Sequence, residues 1–338
     1  MSRSVPRVRR ARRGRQAPPP IAAIVTMAVS VLIVARCATP RVPASTPTPP
    51  APPPITLPAH VSVRAAGEIV EVPFEDYVLG TILAEVSPAS EPAAVAARIF
   101  EVQAIVARSY ARANMGRHRA QGFDFCDSTH CQIYDPARVR TSRLSDTARG
   151  AVQRTAGQIL TYARRPAEAV FHADCGGVTA GADAVWGGRP VPYLITRADD
   201  VEPAVHRHWR WTVTAADLRK ALIADTRTNV GERLASISIT ARDESGRAHE
   251  VTIDGTSQKV VRGEDFRTAV ARALGARTLQ STRFSVQRTG SSYLFEGTGF
   301  GHGVGLCQTG AAARARRGEA LQAILSAYFA DAVVTSVR

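Results

Sequence analysis

Val72-Pro-Phe-Glu-Asp-Tyr-Val-Leu-Gly-Thr-Ile-Leu-Ala-Glu-Val-Ser-Pro88 reads as one helix with a marked start and stop. Glu75 and Asp76 fall in its first turn, where the positive end of the helix dipole favours them. Tyr77, Val78, Leu79, Ile82, Leu83 and Val86 then recur at helical spacing until Pro88 ends the run. Glu85 comes seven positions after Val78 and three after Ile82, which puts it at the edge of the apolar stripe and not on the wet face. A carboxyl there is partly desolvated, its pKa rises, and it suits a general acid near neutral pH. A helix-end glutamate salt-bridged to Arg108 fits the same position. Upstream, Val61–Arg64 and Ile69–Val72 around Gly67 form a hairpin. Downstream, Pro92 starts a second, alanine-rich helix running to about Met115, with Val95, Ile99, Val102 and Val106 on one stripe.

Further along, strand signals occupy Gln158–Tyr162, Ala169–His172 and Tyr193–Arg197. Residues 210–290 change character. Helices at Ala215–Ala224 and Gly263–Leu274 alternate with strands at Ile237–Arg242, Ala248–Ile253 and Arg283–Gln287, the pattern of a smaller inserted lobe. Leu321–Phe329 and Val333–Val337 close the chain as a helix and a strand. The fold class is therefore α+β, with a substrate cleft between two lobes.

Three segments far apart share an unusual mixture of small, polar and sulfur residues: Phe125–Gln132, Phe171–Thr179 and Gly299–Gly310. In the last, Gly299, Gly301, Gly303 and Gly305 flank His302, stripping one side of the chain so that a ligand or another backbone can approach. Together the three segments are expected to assemble one cleft. Cys126, Cys131, Cys175 and Cys307 are an even set and fit two disulfides. Cys126, His130 and Cys131 with His172 and Cys175 fit a tetrahedral zinc site equally well. Both readings stand on spacing alone.

Read in order, these motifs resemble the stage II sporulation protein D / LytB-type (SpoIID/LytB) family. The Pro-x-Glu-x-Tyr-x-x-Gly helix ending in Ala-Glu lies at Pro73–Glu85, and Gln-Ala-x-x-Ala-Arg-x-Tyr-Ala lies at Gln103–Ala111. The Gly-Gly-x-Thr turn at Gly176–Thr179, the segment Gly263–Arg267 and the Gly-His-Gly-Val-Gly loop follow, so the resemblance covers residues 61–338. Cys307 stands where many relatives carry serine, and Cys175 precedes the Gly-Gly turn. The resemblance implies a lytic transglycosylase of peptidoglycan glycan strands, with Glu85 as the single catalytic acid and base and no cofactor required. Arg108 and Tyr110, one helix away, are expected either to hold the glycan or to pack and solvate the second helix, and His302 and Gln308 to hydrogen-bond sugar hydroxyls or acetamido groups, with a general-base role for His302 as the alternative. The resemblance also implies that zinc near the cleft occurs in some members. Other members are non-catalytic wall binders that modulate an amidase, which makes a cell-wall amidase the alternative partner.

The formal charge of +14 invites a nucleic-acid reading, but nine arginines precede residue 59 without one acidic residue beside them. No nucleic-acid reading motif accompanies that charge, so nucleic acid is excluded as a partner. These arginines flank Ile21–Ala35, fifteen residues without a charge, the pattern of a signal peptide or membrane anchor. Cys37 adds a lipoprotein alternative. Residues 39–60 are Pro-rich and make a stiff tether, so the domain from residue 61 on is expected outside the cytoplasm, at the cell envelope.

Overall fold

The structure, a computed structural model, describes residues 54–202 and 205–337. The apolar segment, Cys37 and most of the Pro-rich tether lie outside the described residues. Among the described residues no helix is long and apolar enough to cross a membrane.

The chain is mixed α+β, built from small sheets packed with helices. Strands β1 (His60–Ala65) and β2 (Glu68–Pro73) form the expected antiparallel hairpin, turning through Ala66 and Gly67 in left-handed conformations. β3 (Phe125–Cys126) joins β1 in parallel and brings the first cysteine segment to this end of the molecule. Helix α1 (Phe74–Glu85) follows the hairpin directly and ends where Val86 turns extended. Helix α2 (Ala93–Ala113) begins after Pro92.

α2 has two buried faces, not one, and this organises the fold. Ile99, Val102, Ile105 and Val106 enter a core shared with residues 160–185 and 304–332. Phe100, Ala104, Ala107 and Ala111 enter another, shared with the hairpin, α1 and residues 123–152. The small alanines of the second face let α1 approach closely, and a helix apolar on both faces must be buried. Only the first stripe stood out in the sequence.

A third core is built from residues 209–295: strands His208–Thr214, Leu234–Arg242, Ala248–Gly255, Lys259–Arg262, Phe284–Thr289 and Ser292–Thr298 with helices Ala215–Ile223 and Gly263–Leu274. The helix Gly263–Leu274 was delimited correctly from sequence. The expected strand Tyr193–Arg197 is corrected: only Arg197–Ala198 pairs, with Val178–Thr179. Thr179 explains this, because its hydroxyl donates to the carbonyls of Ile195 and Arg197 and accepts the Arg197 N–H, side-chain bonds that replace a ladder.

Gly299, Gly301, Gly303 and Gly305 all have positive φ, so the glycine loop is a succession of left-handed turns and not a strand. At Gly303 a Cβ would run into the Arg247 guanidinium, and at Gly305 into the Val170 carbonyl. The loop zips onto residues 170–180. Asp174 and Phe300 exchange backbone hydrogen bonds, Ala180 N–H donates to the Gly303 carbonyl, and Leu306–Cys307 pairs in parallel with Phe171–His172.

Candidate active site

Glu85 occupies the last turn of α1, and its Oε1 accepts the Ile133 backbone N–H at 2.7 Å. The position of that donor is over-determined. Gln132 is buried between the helices and donates to Tyr77 Oη and to the Ala107 carbonyl, each at 3.3 Å. Tyr134 packs at a tilt against Tyr77 with centroids 5.3 Å apart and lies against Gly80, where a Cβ would collide with its ring. Residues 132–134 are thereby pinned beneath α1. Burial raises the Glu85 pKa to about 7 and the Ile133 N–H offsets only part of that rise. Near neutrality the group exchanges its proton readily, as acid–base work requires.

The anticipated Glu85–Arg108 salt bridge does not form. Arg108 is fully buried and ion-paired to Glu75, with Nε and Nη2 donating to the two carboxylate oxygens at 2.9 and 2.7 Å. Its Nη1 donates to the Gln158 carbonyl at 3.1 Å. Every direction of the guanidinium is engaged inside the protein, so the glycan-holding role expected of Arg108 is corrected to a packing one. Tyr110 is also largely buried, its hydroxyl accepting from Arg117 at 3.1 Å and its pKa pushed up to about 12 by burial.

Ahead of Ile133, the loop gathers His118, Cys126, His130 and Cys131, with one ligand atom from each lying within 4.8 Å of the others. His118 Nδ1 faces Gln121 Oε1 at 2.8 Å, which leaves Nε2 toward Cys131 Sγ at 3.3 Å. A histidine whose second nitrogen is already held is the usual form of a metal ligand. Burial lowers the His130 pKa, with Arg117 and His118 adding to it. Burial pushes the Cys126 thiol up, but bonds from Ser128 and Cys131 outweigh it and the net shift is downward. Two sulfurs and two imidazoles are a zinc-type donor set, and the residues fit the ion. The sequence reading held three of these ligands and missed His118, eight positions before Cys126 and outside any short Cys/His spacing. It also grouped His172 and Cys175 with them, and the structure keeps both apart from this cluster. His172 Nδ1 donates to the Val304 carbonyl at 3.0 Å, and Cys175 lies beside Cys307. All four cysteines are unbridged and buried.

Of the three segments expected to converge, the structure joins Phe171–Thr179 to Gly299–Gly310, while Phe125–Gln132 packs against β1 and α1. The bridge between the two groups is Gln308, whose Nε2 donates to Gln103 Oε1 of α2 at 3.4 Å. Two surface hollows, of about 420 and 480 Å³, are lined by other residues, and Glu85 is on neither wall.

A family model described as "Stage II sporulation protein" (SpoIID) matches residues 63–162, the stretch that carries α1, Glu85, α2 and the Cys/His loop. The chain is 29% identical over 295 residues to Stage II sporulation protein D of Bacillus amyloliquefaciens, covering 82% of this chain and 77% of that one. Residues 63–162 thus match the SpoIID family, and the likeness to Stage II sporulation protein D runs over most of the chain. To the amidase enhancer of Bacillus subtilis it is 26% identical over 296 residues, covering 74% of this chain and 40% of the enhancer. An uncharacterized protein of Brachyspira hyodysenteriae is 30% identical over 260 residues, 77% of this chain and 66% of that one. The alignment thus spans just under two thirds of the Brachyspira protein and less than half of the enhancer. A second model, described as a domain of unknown function (DUF8618), matches residues 194–305.

The glycine-loop histidine has a structural task. His302 Nε2 donates to the Phe171 carbonyl at 2.9 Å and Nδ1 accepts the Val304 N–H at 3.1 Å. The ring lies between His172 and Trp186, with centroids 5.4 and 5.1 Å away. Both nitrogens being committed, the expected sugar contact of His302 is corrected. Burial depresses its pKa to about 4; Glu264 opposes, and Arg267 and Arg247 reinforce the fall. The folded pKa lies below the unfolded one, so the unfolded chain takes the proton first. Stability from this ring is therefore full above pH ~6.5 and is lost as pH falls towards 4, by at most ~3 kcal/mol, since part of the residue still reaches solvent. Unfolding of wild type and His302→Ala at several pH values reads this: the variant should be less stable at pH 7, and the gap should narrow on acidification. A constant gap would mean that the fold does not lower the pKa of this ring.

Proposed function

We propose that this protein is a lytic transglycosylase of peptidoglycan glycan strands at the cell envelope, with Glu85 as its only acid–base group. The observation that carries the proposal is the Glu85 carboxyl, desolvated and poised near pH 7 at a helix end, with a backbone N–H on one oxygen. The protonated carboxyl donates to the glycosidic oxygen as the bond to the muramic C1 breaks. The resulting carboxylate is then stabilised by the Ile133 N–H and takes the proton of the muramic 6-hydroxyl, whose oxygen closes on C1 to give the 1,6-anhydro ring. The proton returns to Glu85, and no water is consumed. Hydrolytic glycosidases use two carboxyls; intramolecular capture of C1 removes the need for the second. Gln308, half-buried at the start of the helix Gln308–Arg316 and facing α2, would meet a sugar hydroxyl or acetamido group.

His118, Cys126, His130 and Cys131 would hold zinc, which supplies a cross-link for the loop that presents Ile133. In the metal-loaded protein Cys126 and Cys131 should resist alkylation, react together once a chelator is added, and lose protection in parallel with a fall in Tm of roughly 5 °C or more. Thiols that react only after reduction would show a disulfide in its place.

The enhancer relative favours a second reading, in which the chain binds the wall and stimulates an amidase. Incubating glycan strands with this protein alone separates the two. Strand shortening without an amidase supports the enzyme. Unchanged strands together with faster peptide release by an added amidase support the modulator.

A further inference from the structure

The molecule contains a second sulfur-bearing cluster, remote in sequence from the first and unused by the chemistry above. Asp174, Cys175, His206 and Cys307 come from three separate segments and each offers one ligand atom within 4.8 Å of the others. All four are buried, with relative exposures of 3, 0, 7 and 0%. We propose that these residues form a second site for a soft divalent cation of the zinc class, distinct from the His118–Cys131 cluster.

The sulfurs are surrounded by backbone donors that metal-bound thiolates would keep. Cys307 Sγ accepts the backbone N–H groups of Cys175 at 3.2 Å and Gly310 at 3.3 Å, the latter at the first turn of a nine-residue helix. Cys175 Sγ accepts the Gly177 N–H at 3.3 Å. Backbone donors directed at sulfur, one of them at a helix N-terminus, favour the ionised form. The imidazole is prepared in the same way. Asp174 Oδ1 accepts from His206 Nδ1 at 2.9 Å and from the Gly176 N–H at 2.8 Å, and Oδ2 accepts the Arg207 N–H at 2.6 Å. With Nδ1–H held, His206 Nε2 is a bare lone pair, and it is buried without a partner. A carboxylate holding one imidazole nitrogen so that the other is free is the support that metal-binding histidines receive.

Charge also points to a cation. Asp199 is buried against Cys175 Sγ at 3.4 Å and accepts the Tyr328 hydroxyl at 3.0 Å, so two carboxylates already border the two thiols. Arg314 pairs with Asp199 at 3.5 Å, and two thiolates added beside the Asp174 carboxylate would still need a compensating charge. On binding, the two S–H bonds lose their protons to solvent, each sulfur donates a pair to the ion, and the ion's two positive charges replace the protons. Sulfur and imidazole donors select zinc-class ions over magnesium or calcium. An ion here would tie the Gly-Gly turn, the His206 segment and the start of the helix Gln308–Arg316 to one point behind the glycine loop.

Metal content of the full chain tests this by elemental mass spectrometry after dialysis against weak chelator. Wild type should carry about two zinc ions per chain, and Cys126→Ser with Cys131→Ser should leave about one. Cobalt loaded into that double variant should give a sulfur-to-metal charge-transfer absorption, and His206→Ala, which keeps both thiols, should abolish it. Should the double variant fail to fold, wild type is compared with His206→Ala alone, and the loss of one of two ions supports the site. One ion per wild-type chain, no cobalt–sulfur band, or a Cys175–Cys307 disulfide found by non-reducing peptide mapping would each overturn it.

Discussion

Glu85→Gln is expected to lower strand cleavage by at least ~10²-fold while the protein stays folded, because the amide fills the same space but cannot give up and recover a proton. The Ile133 N–H keeps an acceptor in the amide oxygen, so the loop beneath α1 need not move. Stability should change in the opposite sense to activity. The folded pKa of Glu85, about 7, lies above its ordinary value of 4.5, so the contribution of the neutral carboxyl is complete below pH 4.5 and is lost as pH rises through 7. At pH 8 the glutamine variant should therefore be the more stable protein, by up to ~3 kcal/mol, and at pH 4 the two should be alike. Wild-type cleavage should itself fall above pH 7 as the acid ionises. Chemical unfolding at both pH values, with cleavage rates on the same preparations, reads all three. An active variant, or one destabilised at pH 8, would move the chemistry away from Glu85.

Arg108→Leu should cost about 3 kcal/mol of stability, with a Tm lower by roughly 6–12 °C, because the buried Gln158 carbonyl loses its donor and leucine leaves a void. Glu75→Gln should cost a comparable amount by a different route, stranding a fully buried guanidinium without its anion. The folded fraction of both variants should cleave glycan at close to the wild-type specific rate. Calorimetry combined with activity per folded molecule decides the matter. A stable Arg108→Leu protein with poor activity would restore the glycan-holding role.

What was legible in the sequence follows from where local rules and tertiary context agree. α1 and α2 carry their own punctuation in Pro73, Pro88 and Pro92, and Gly263–Leu274 carries Glu264 and Asp265 at its start and Gly275 just beyond its end. The placement of Glu85 at the edge of a buried stripe was a matter of angular arithmetic, and the structure keeps it there. The helix Gln308–Arg316 was missed because its N-cap is a cysteine, whose Sγ accepts the Gly310 N–H, and its first turn continues the glycine-rich run. His302 was misread for a related reason. Flanking glycines indicate close approach, yet the sequence does not say of what, and the approaching groups are the backbone at Phe171 and the rings of His172 and Trp186. Arg108 was not recognised as a purely internal residue because its partner, Glu75, lies 33 residues upstream at the other end of α1, beyond any local spacing rule. His118 joined the cysteines through a loop whose path no spacing rule describes.

The most direct test of the central claim is mass spectrometry of the ends released when purified glycan strands are digested by the wild-type protein, with Glu85→Gln as control. The account requires new muramic ends that are one water lighter than reducing ends, carry the 1,6-anhydro ring, resist borohydride, and are absent from the control digest. New ends that borohydride reduces, or strands that wild type leaves intact, would contradict it.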